Sequence, residues 1–205
     1  MAKAVDGFSC LTYSIKIAGL FDGCEEVASY MQLRKSLFID KLSWGIPSWK
    51  SYEFDQYDTA RTVYVLAVRN GQVVAGGRLI RTDSKMPNSA GKRQYTYMIA
   101  DAYDGLLEGM PSELCREAPP RDPRLWEFSR IVSSKNDGAA VREVFDAANS
   151  YIAEQGGSGG VFIGSPALMR MCRMSGFKPE PMGPIVKTAD AGRFLAFACG
   201  VKDYA

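Results

Sequence analysis

Apolar and polar positions alternate loosely from Phe8 to Ala18, with Leu11, Tyr13, Ile15 and Ile17 as the β-favouring members, which predicts an opening strand. From Cys24 to Leu42 the period lengthens. Val27, Tyr30, Met31, Leu37, Phe38 and Leu42 fall at mostly helical spacing, so Arg34 and Phe38 belong to neighbouring turns of one helix face. Pro47 marks the loop that ends this region, and Trp44 to Asp58 reads as a long irregular connector rich in aromatics and turn formers. Two β-rich runs, Thr62 to Val68 and Val73 to Ile80, flank Asn70-Gly71 and predict an antiparallel hairpin. Arg81 to Pro123 is polar and proline-rich, with short apolar pieces at Tyr95 to Ala102 and Gly105 to Leu107; it is expected to be an elaborated connection, not a domain.

Leu125 to Val132 returns to strand character. Between Gly138 and Gln155, the residues Val141, Val144, Phe145, Ala148, Tyr151 and Ile152 keep a 3.6-residue period, with Asn136 or Asp137 available as cap. The glycine-rich run Gly156 to Gly160 breaks this helix. A short buried strand at Val161 to Ile163, a helix at Pro166 to Met174, a turn at Gly176-Phe177, and strands near Ile185 to Lys187 and Arg193 to Cys199 complete the order. The pattern predicts one α+β domain over residues 1–205: a three-layer α/β/α sandwich around a mixed, mainly antiparallel sheet.

Composition narrows the chemistry. The chain has 205 residues and 46% hydrophobic content, enough for one substantial core. Its 25 basic and 23 acidic side chains leave a formal charge of +2, which gives no global case for nucleic acid or an anionic membrane. There is no histidine, which excludes Ser-His-Asp and Cys-His catalysis. Cys10, Cys24, Cys115, Cys172 and Cys199 are odd in number and never at C-x2-C spacing, so neither a disulfide framework nor a metal site is expected. Met1 to Leu20 lacks the order of a signal peptide, and no apolar run approaches membrane-spanning length; a cytoplasmic protein is expected.

Arg34, Phe38, Trp44, Asp55 and Asp58 stand at R-x3-F-x5-W-x10-D-x2-D, followed by Arg78 and the segment Trp126-Glu127-Phe128-Ser129-Arg130. These types suit a pocket for a small zwitterionic cation: aromatic faces, carboxylates, and arginines that hold those carboxylates or a substrate carboxylate. Singly, Phe38 reads as core and each aspartate as a solvated loop position. Jointly, a buried Asp-Arg ladder without a ligand would be a costly way to stabilise a small domain, so a pocket is the better account. Trp49, Tyr52 and Tyr57 are expected to cover the same loop without chemistry.

The set resembles the acyl-homoserine-lactone synthases, the autoinducer synthase family within the N-acetyltransferase-like superfamily. The resemblance rests on Leu33 to Phe38, Trp44, Glu53 to Asp58, Gly77-Arg78-Leu79, Trp126 to Arg130 and Arg173 to Phe177, in that order. It implies an acyl-CoA N-acyltransferase-like fold and a reaction of S-adenosylmethionine, as substrate and not cofactor, with an acyl thioester. The products would be an N-acyl-homoserine lactone and 5′-methylthioadenosine. Arg34, Phe38 and Trp44 would then bind S-adenosylmethionine, while Asp55, Asp58, Arg78, Glu127 and Arg130 would serve catalysis. Glu127 is the candidate base. An unshifted glutamate near about 4.3 is weak for an amine titrating near about 7.7 to 8.0, so it would act through water or with its pKa raised by burial; otherwise it is a structural partner of Arg130 or Arg78.

The resemblance implies an acyl carrier protein or acyl-coenzyme A as the acyl donor. Residues Ser133 to Ala139 lack the [QR]-x2-G-x-[GA] pattern by which related acetyltransferases hold a pyrophosphate, which favours the carrier protein. Such an acidic carrier would dock on Arg142, Arg170, Arg173 and Lys178. The acyl tail is expected beside Met98, Phe162, Leu168, Met169 and Cys172, with Val161 and Ile163 nearby. Phe162 falls where members taking 3-oxo-acyl chains tend to carry threonine, so an unsubstituted, short or unusual acyl group is expected. Two alternatives stand beside this: an N-acyltransferase of the same fold that acylates another amine without S-adenosylmethionine, and a non-catalytic binding module.

Overall fold

The computed structural model describes residues 13–22, 24–85, 95–188 and 192–202. The elements are β1 (Ser14–Gly19), α1 (Cys24–Lys35) continued as a π-helical turn (Ser36–Lys41), β2 (Ser48–Trp49), β3 (Tyr52–Glu53), β4 (Val63–Arg69), β5 (Gln72–Arg81), α2 (Met98–Tyr103), β6 (Leu125–Ser133), α3 (Gly138–Glu154), β7 (Gly159–Gly164), α4 (Pro166–Met174), β8 (Glu180–Pro181), β9 (Val186–Thr188) and β10 (Gly192–Gly200). The first part of the expected opening strand, from Phe8, and Cys10 lie outside the described residues.

The sheet runs β1-β4-β5-β6-β7-β10-β8, with β9 also on β10, and β6–β7 is its one parallel pair among the described strands. That pairing joins Leu125–Phe128 to Gly159–Phe162 and stops there, although β6 continues to Ser133 and β7 to Gly164. The strands therefore separate beyond Phe128. α3 and α4 cover one face with Val144, Phe145, Ala148, Ile152, Met169 and Cys172. The other face carries α1, through Val27, Tyr30 and Phe38, and α2, through Met98, Ile99 and Ala102. The expected three-layer sandwich is thus the observed one.

Two places depart from simple alternation. β6 bulges opposite Gly77: Gly76 pairs with Val132 but Arg78 pairs with Ser129, and Arg130 adopts φ 53. Gly77 is forced by packing, since a Cβ there would sit 2.2 Å from the Phe128 ring. The second departure is α2, which lies inside the stretch expected to be a plain connection. Its six residues are too few to show a helical period, but five of them are buried.

Candidate active site

Val27, Tyr30, Arg34 and Phe38 recur every three to four residues and bury one stripe of α1 and its π-helical extension. The helix ends where Ser43 turns to φ 57 and Trp44 N–H reaches back to Phe38 C=O at 2.9 Å. This reversal lays the Trp44 ring on Phe38, 4.8 Å between centroids and 10° from parallel. The following connector contains the small β2–β3 hairpin, which delivers Glu53 beneath α1.

Asp55 and Asp58 first organise their own turn. Asp58 accepts the Asp55 N–H at 2.9 Å, and Asp55 accepts the Tyr57 N–H at 2.9 Å. Their remaining lone pairs meet three arginines. Arg34 grips Asp58 at 2.8 and 2.9 Å, and Arg78 grips Asp55 at 2.5 and 3.2 Å while reaching Asp58 at 3.1 Å. Arg130 donates to Asp55 at 2.7 Å and to Glu53 at 3.2 Å, and Glu53 also pairs with Arg34.

The six groups form a closed ring: Arg34, Glu53, Arg130, Asp55, Arg78, Asp58 and back to Arg34. Three cations alternate with three anions. Buried charges are tolerated only when paired this fully, and Arg34, Glu53 and Arg78 are wholly inaccessible. Burial alone would raise the carboxyl of Asp55, but Arg78 and Arg130 hold it below its ordinary value. For Asp58, Arg78 and Arg34 likewise outweigh burial and bring its pKa down. Conversely, Asp55 and Asp58 overcome burial to raise Arg78.

Glu53 is the member that the motif spacing left out, although it stands two residues before Asp55. Charge parity was the available signal: three buried arginines facing two aspartates leave one positive charge in excess. Arg34 is entirely spent on Glu53 and Asp58. Arg130 keeps 10% of its side chain exposed, against none for Arg34 or Arg78, and its guanidinium lies 5.8 Å from the centre of the Phe38 ring.

Glu127 stands beside this ring on β6 and is completely buried. It accepts the N–H groups of Met98 at 3.2 Å and Ile99 at 2.9 Å, the first residues of α2. Burial pushes its carboxyl up to about 7, against the opposing pull of those N–H groups and of Arg78. Its hydrogen bonds thus come from α2, not from Arg130 or Arg78, and its proton affinity is near that of an α-amine.

Met98 belongs to the same side, with Sδ 3.3 Å from Arg78 and 3.4 Å from Arg130. The expected acyl-pocket residues Phe162, Leu168, Met169 and Cys172 are elsewhere, packed on the opposite sheet face under α3 and α4, while Val161 and Ile163 pack with Met98. Met98 and the other four therefore do not share one lining. Phe162 is stacked between Phe145 and Phe197, at 5.7 and 5.0 Å. The cavity beside it measures about 20 Å³ and is walled by Phe128, Phe145, Phe162 and Phe177.

Arg142, Arg170, Arg173 and Lys178 are all exposed, on α3, on α4 and just beyond it. Tyr57 is not loop cover: it is 1% exposed and its ring lies under the Arg78 guanidinium at 5.4 Å. Cys115, Cys172 and Cys199 are free and buried. Among the described residues, no helix is long and apolar enough to cross a membrane.

A model of the autoinducer synthase family matches residues 24–189. The acyl-homoserine-lactone synthase of Pseudomonas aeruginosa is 28% identical over 162 residues, covering 77% of this chain and 71% of that protein. The synthase of Acinetobacter nosocomialis is 26% identical, covering 89% and 96%. Among solved structures, TofI in a ternary complex with an inhibitor and MTA superposes with a TM-score of 0.72 at 23% identity, over 92% of this chain and 91% of that one. BjaI, a coenzyme A-dependent acyl-homoserine lactone synthase with SAM and isopentyl-CoA, gives 0.71 at 21%, over 93% and 84%. The sheet and its helices are therefore of the same fold as in those synthases.

Proposed function

The chain belongs to the autoinducer synthase family, and on that premise we propose that it makes an N-acyl-homoserine lactone from S-adenosylmethionine and an acyl thioester, releasing 5′-methylthioadenosine. The observation that carries this reading is the neutral ring of three arginines and three carboxylates beside a buried Glu127 whose proton affinity is near that of an α-amine. A sulfonium substrate needs π-faces, which Phe38 and Trp44 supply, and a donor for its carboxylate, for which Arg130 has the exposure. Arg34 and Arg78 fix the aspartates. Asp55 and Asp58, in turn, hold Arg130 and the loop in place at the edge of the site.

In the first step Glu127, directly or through one water, takes a proton from the α-ammonium. The free amine attacks the thioester carbonyl; the C–N bond forms, the C–S bond breaks, and the thiolate leaves to take up a proton. In the second step the carboxylate oxygen of the acylated product attacks the carbon next to the sulfonium. The C–S electron pair returns to sulfur as neutral methylthioadenosine, so the protein mainly has to hold the near-attack geometry. No second acid is needed.

We favour an acyl carrier protein as donor over acyl-coenzyme A. Asp137 caps the N-terminus of α3, accepting from Ala140 N–H at 3.1 Å and bonded to Tyr13 and Arg69, so a carboxylate already fills the position where a pyrophosphate would be drawn. The exposed Arg142, Arg170, Arg173 and Lys178 offer an acidic carrier a docking patch. The cytoplasm holds both substrates and is the proposed location. Mass spectrometry tests the reading: purified protein given S-adenosylmethionine and a panel of acyl-carrier and acyl-coenzyme A donors should yield lactone and methylthioadenosine in equal amounts. Binding of S-adenosylmethionine with amide formation on another amine only would overturn it.

A further inference from the structure

Asp101 is a fully buried carboxylate on α2 that the reaction above does not use. Its hydrogen-bond donors are neutral: Thr96 N–H at 3.0 Å, Thr96 Oγ1–H at 2.8 Å and the Tyr57 hydroxyl at 2.7 Å. Glu127 takes the N–H groups of Met98 and Ile99. Two carboxylates thus grip one four-residue turn, Thr96 to Ile99, from neighbouring N–H groups. Tyr57 ties this turn to the ring, because its own N–H is held by Asp55 and its aromatic face lies under Arg78.

We propose that Asp101, locked by Tyr57, is a positioning residue for Glu127: it fixes the turn whose N–H groups orient the base. The pair couples the loop that carries Asp55 and Asp58 to the strand that carries the base. The Met98 and Ile99 N–H groups favour the ionised form of Glu127 against its burial, so the hold of Asp101 on their turn helps set how far burial raises the base. The charged and titratable groups that act on Glu127 are Arg78 from β5, Asp55 and Tyr57 from the loop, and Tyr97 from the lead-in to α2.

This inference rests on the base role of Glu127 within the proposed reaction, and its test is kept separate from that reaction. The Glu127 carboxyl is titrated by ¹³C-glutamate NMR, assigned by its absence in Glu127→Gln, in the wild type, Asp101→Asn and Tyr57→Phe. Asp101→Asn weakens the hold on the Thr96 turn, loosens the Met98 and Ile99 N–H groups that favour the ionised base, and should raise the Glu127 midpoint by about half a pH unit or more. Tyr57→Phe removes the hydroxyl that holds Asp101 and should move the midpoint the same way; its small volume change keeps the test open if the first variant folds poorly. In kinetics, both should lower kcat several-fold with KM for S-adenosylmethionine within about twofold, and shift the acid limb to higher pH. An unchanged Glu127 titration in folded variants, or a loss of activity parallel at every pH, would overturn the positioning role. A wild type that releases no lactone would instead remove the proposed reaction and leave the titration to decide the coupling.

Discussion

Glu53 accepts a hydrogen bond from Arg130 Nε at 3.2 Å, and with it a two-residue strand closes a ring of charge against a bulge in the central sheet. Without Glu53, Arg34 would keep only Asp58 and Arg130 only Asp55 among the ring's carboxylates. Glu53→Gln should therefore lower stability by about 3 to 5 kcal/mol, the range for breaking a buried pair and stranding its partner. Urea unfolding measures this, and a loss below about 1 kcal/mol would mean that the ring tolerates an unpaired guanidinium.

As the proposed base, Glu127 should give the reaction an acid limb. With a carboxyl raised to about 7 by burial, activity should climb with pH through that value and flatten above it, until the amine's own ionisation takes over. Glu127→Gln should lower kcat by about 10²- to 10⁴-fold and erase the limb. A rate profile that keeps its limb in the variant assigns the base elsewhere.

The same group bends the stability curve in a direction that can be worked out. Its folded value lies above its ordinary 4.5, so well below that pH both states are protonated and its ionisation does not oppose folding. Between 4.5 and about 7 the unfolded chain releases the proton first, and this contribution falls as pH rises, levelling beyond about 7. Asp55 and Asp58 act oppositely: depressed from an ordinary 3.8, they stabilise above that value and lose their contribution as pH falls toward their folded values. Denaturant midpoints at pH 5 and pH 8 should converge less in the wild type than in Glu127→Gln, the variant lacking the downward slope.

Much of this was readable from the residues. The hairpin at Asn70-Gly71, the capped periodic α3 and the span Pro166–Met174 carried local signals strong enough to survive tertiary packing. Arg130 did not. Strict alternation groups it with Trp126 and Phe128, which face α3, yet it meets Glu53, Asp55 and Met98 on the side of Glu127 and Ser129. The extra residue in the β6 bulge re-aims it, and a bulge leaves no periodic trace in a nine-residue strand. The expected tail residues are the mirror case: Val161, Phe162 and Ile163 alternate between two faces, so together they do not form one wall.

Phe162 makes the acyl preference testable. Its ring is held between Phe145 and Phe197 and leaves about 20 Å³ beside it, room for little more than a water. If the tail enters where β6 and β7 separate, Phe162→Ala should open that space and move the preferred donor to longer chains, at a stability cost of about 3 to 5 kcal/mol. Competition among acyl donors of graded length reads the shift, and an unchanged product spectrum would place the tail on the Met98 side instead.

The docking patch gives the last prediction. Arg170 and Arg173 project from α4 into solvent, away from the ring, so reversing their charge should leave S-adenosylmethionine binding untouched. If an acidic carrier approaches this face, Arg170→Glu with Arg173→Glu should raise KM for the acyl carrier protein by about tenfold at low salt, with a smaller effect at high salt where screening has already weakened the attraction. Donors delivered on coenzyme A, or on a truncated pantetheine arm, should react as before because they present no protein surface. A variant that loses all three donors equally has been damaged in α4 packing, where Met169 and Cys172 sit in the core. One that keeps the carrier's KM shows that docking lies on another face.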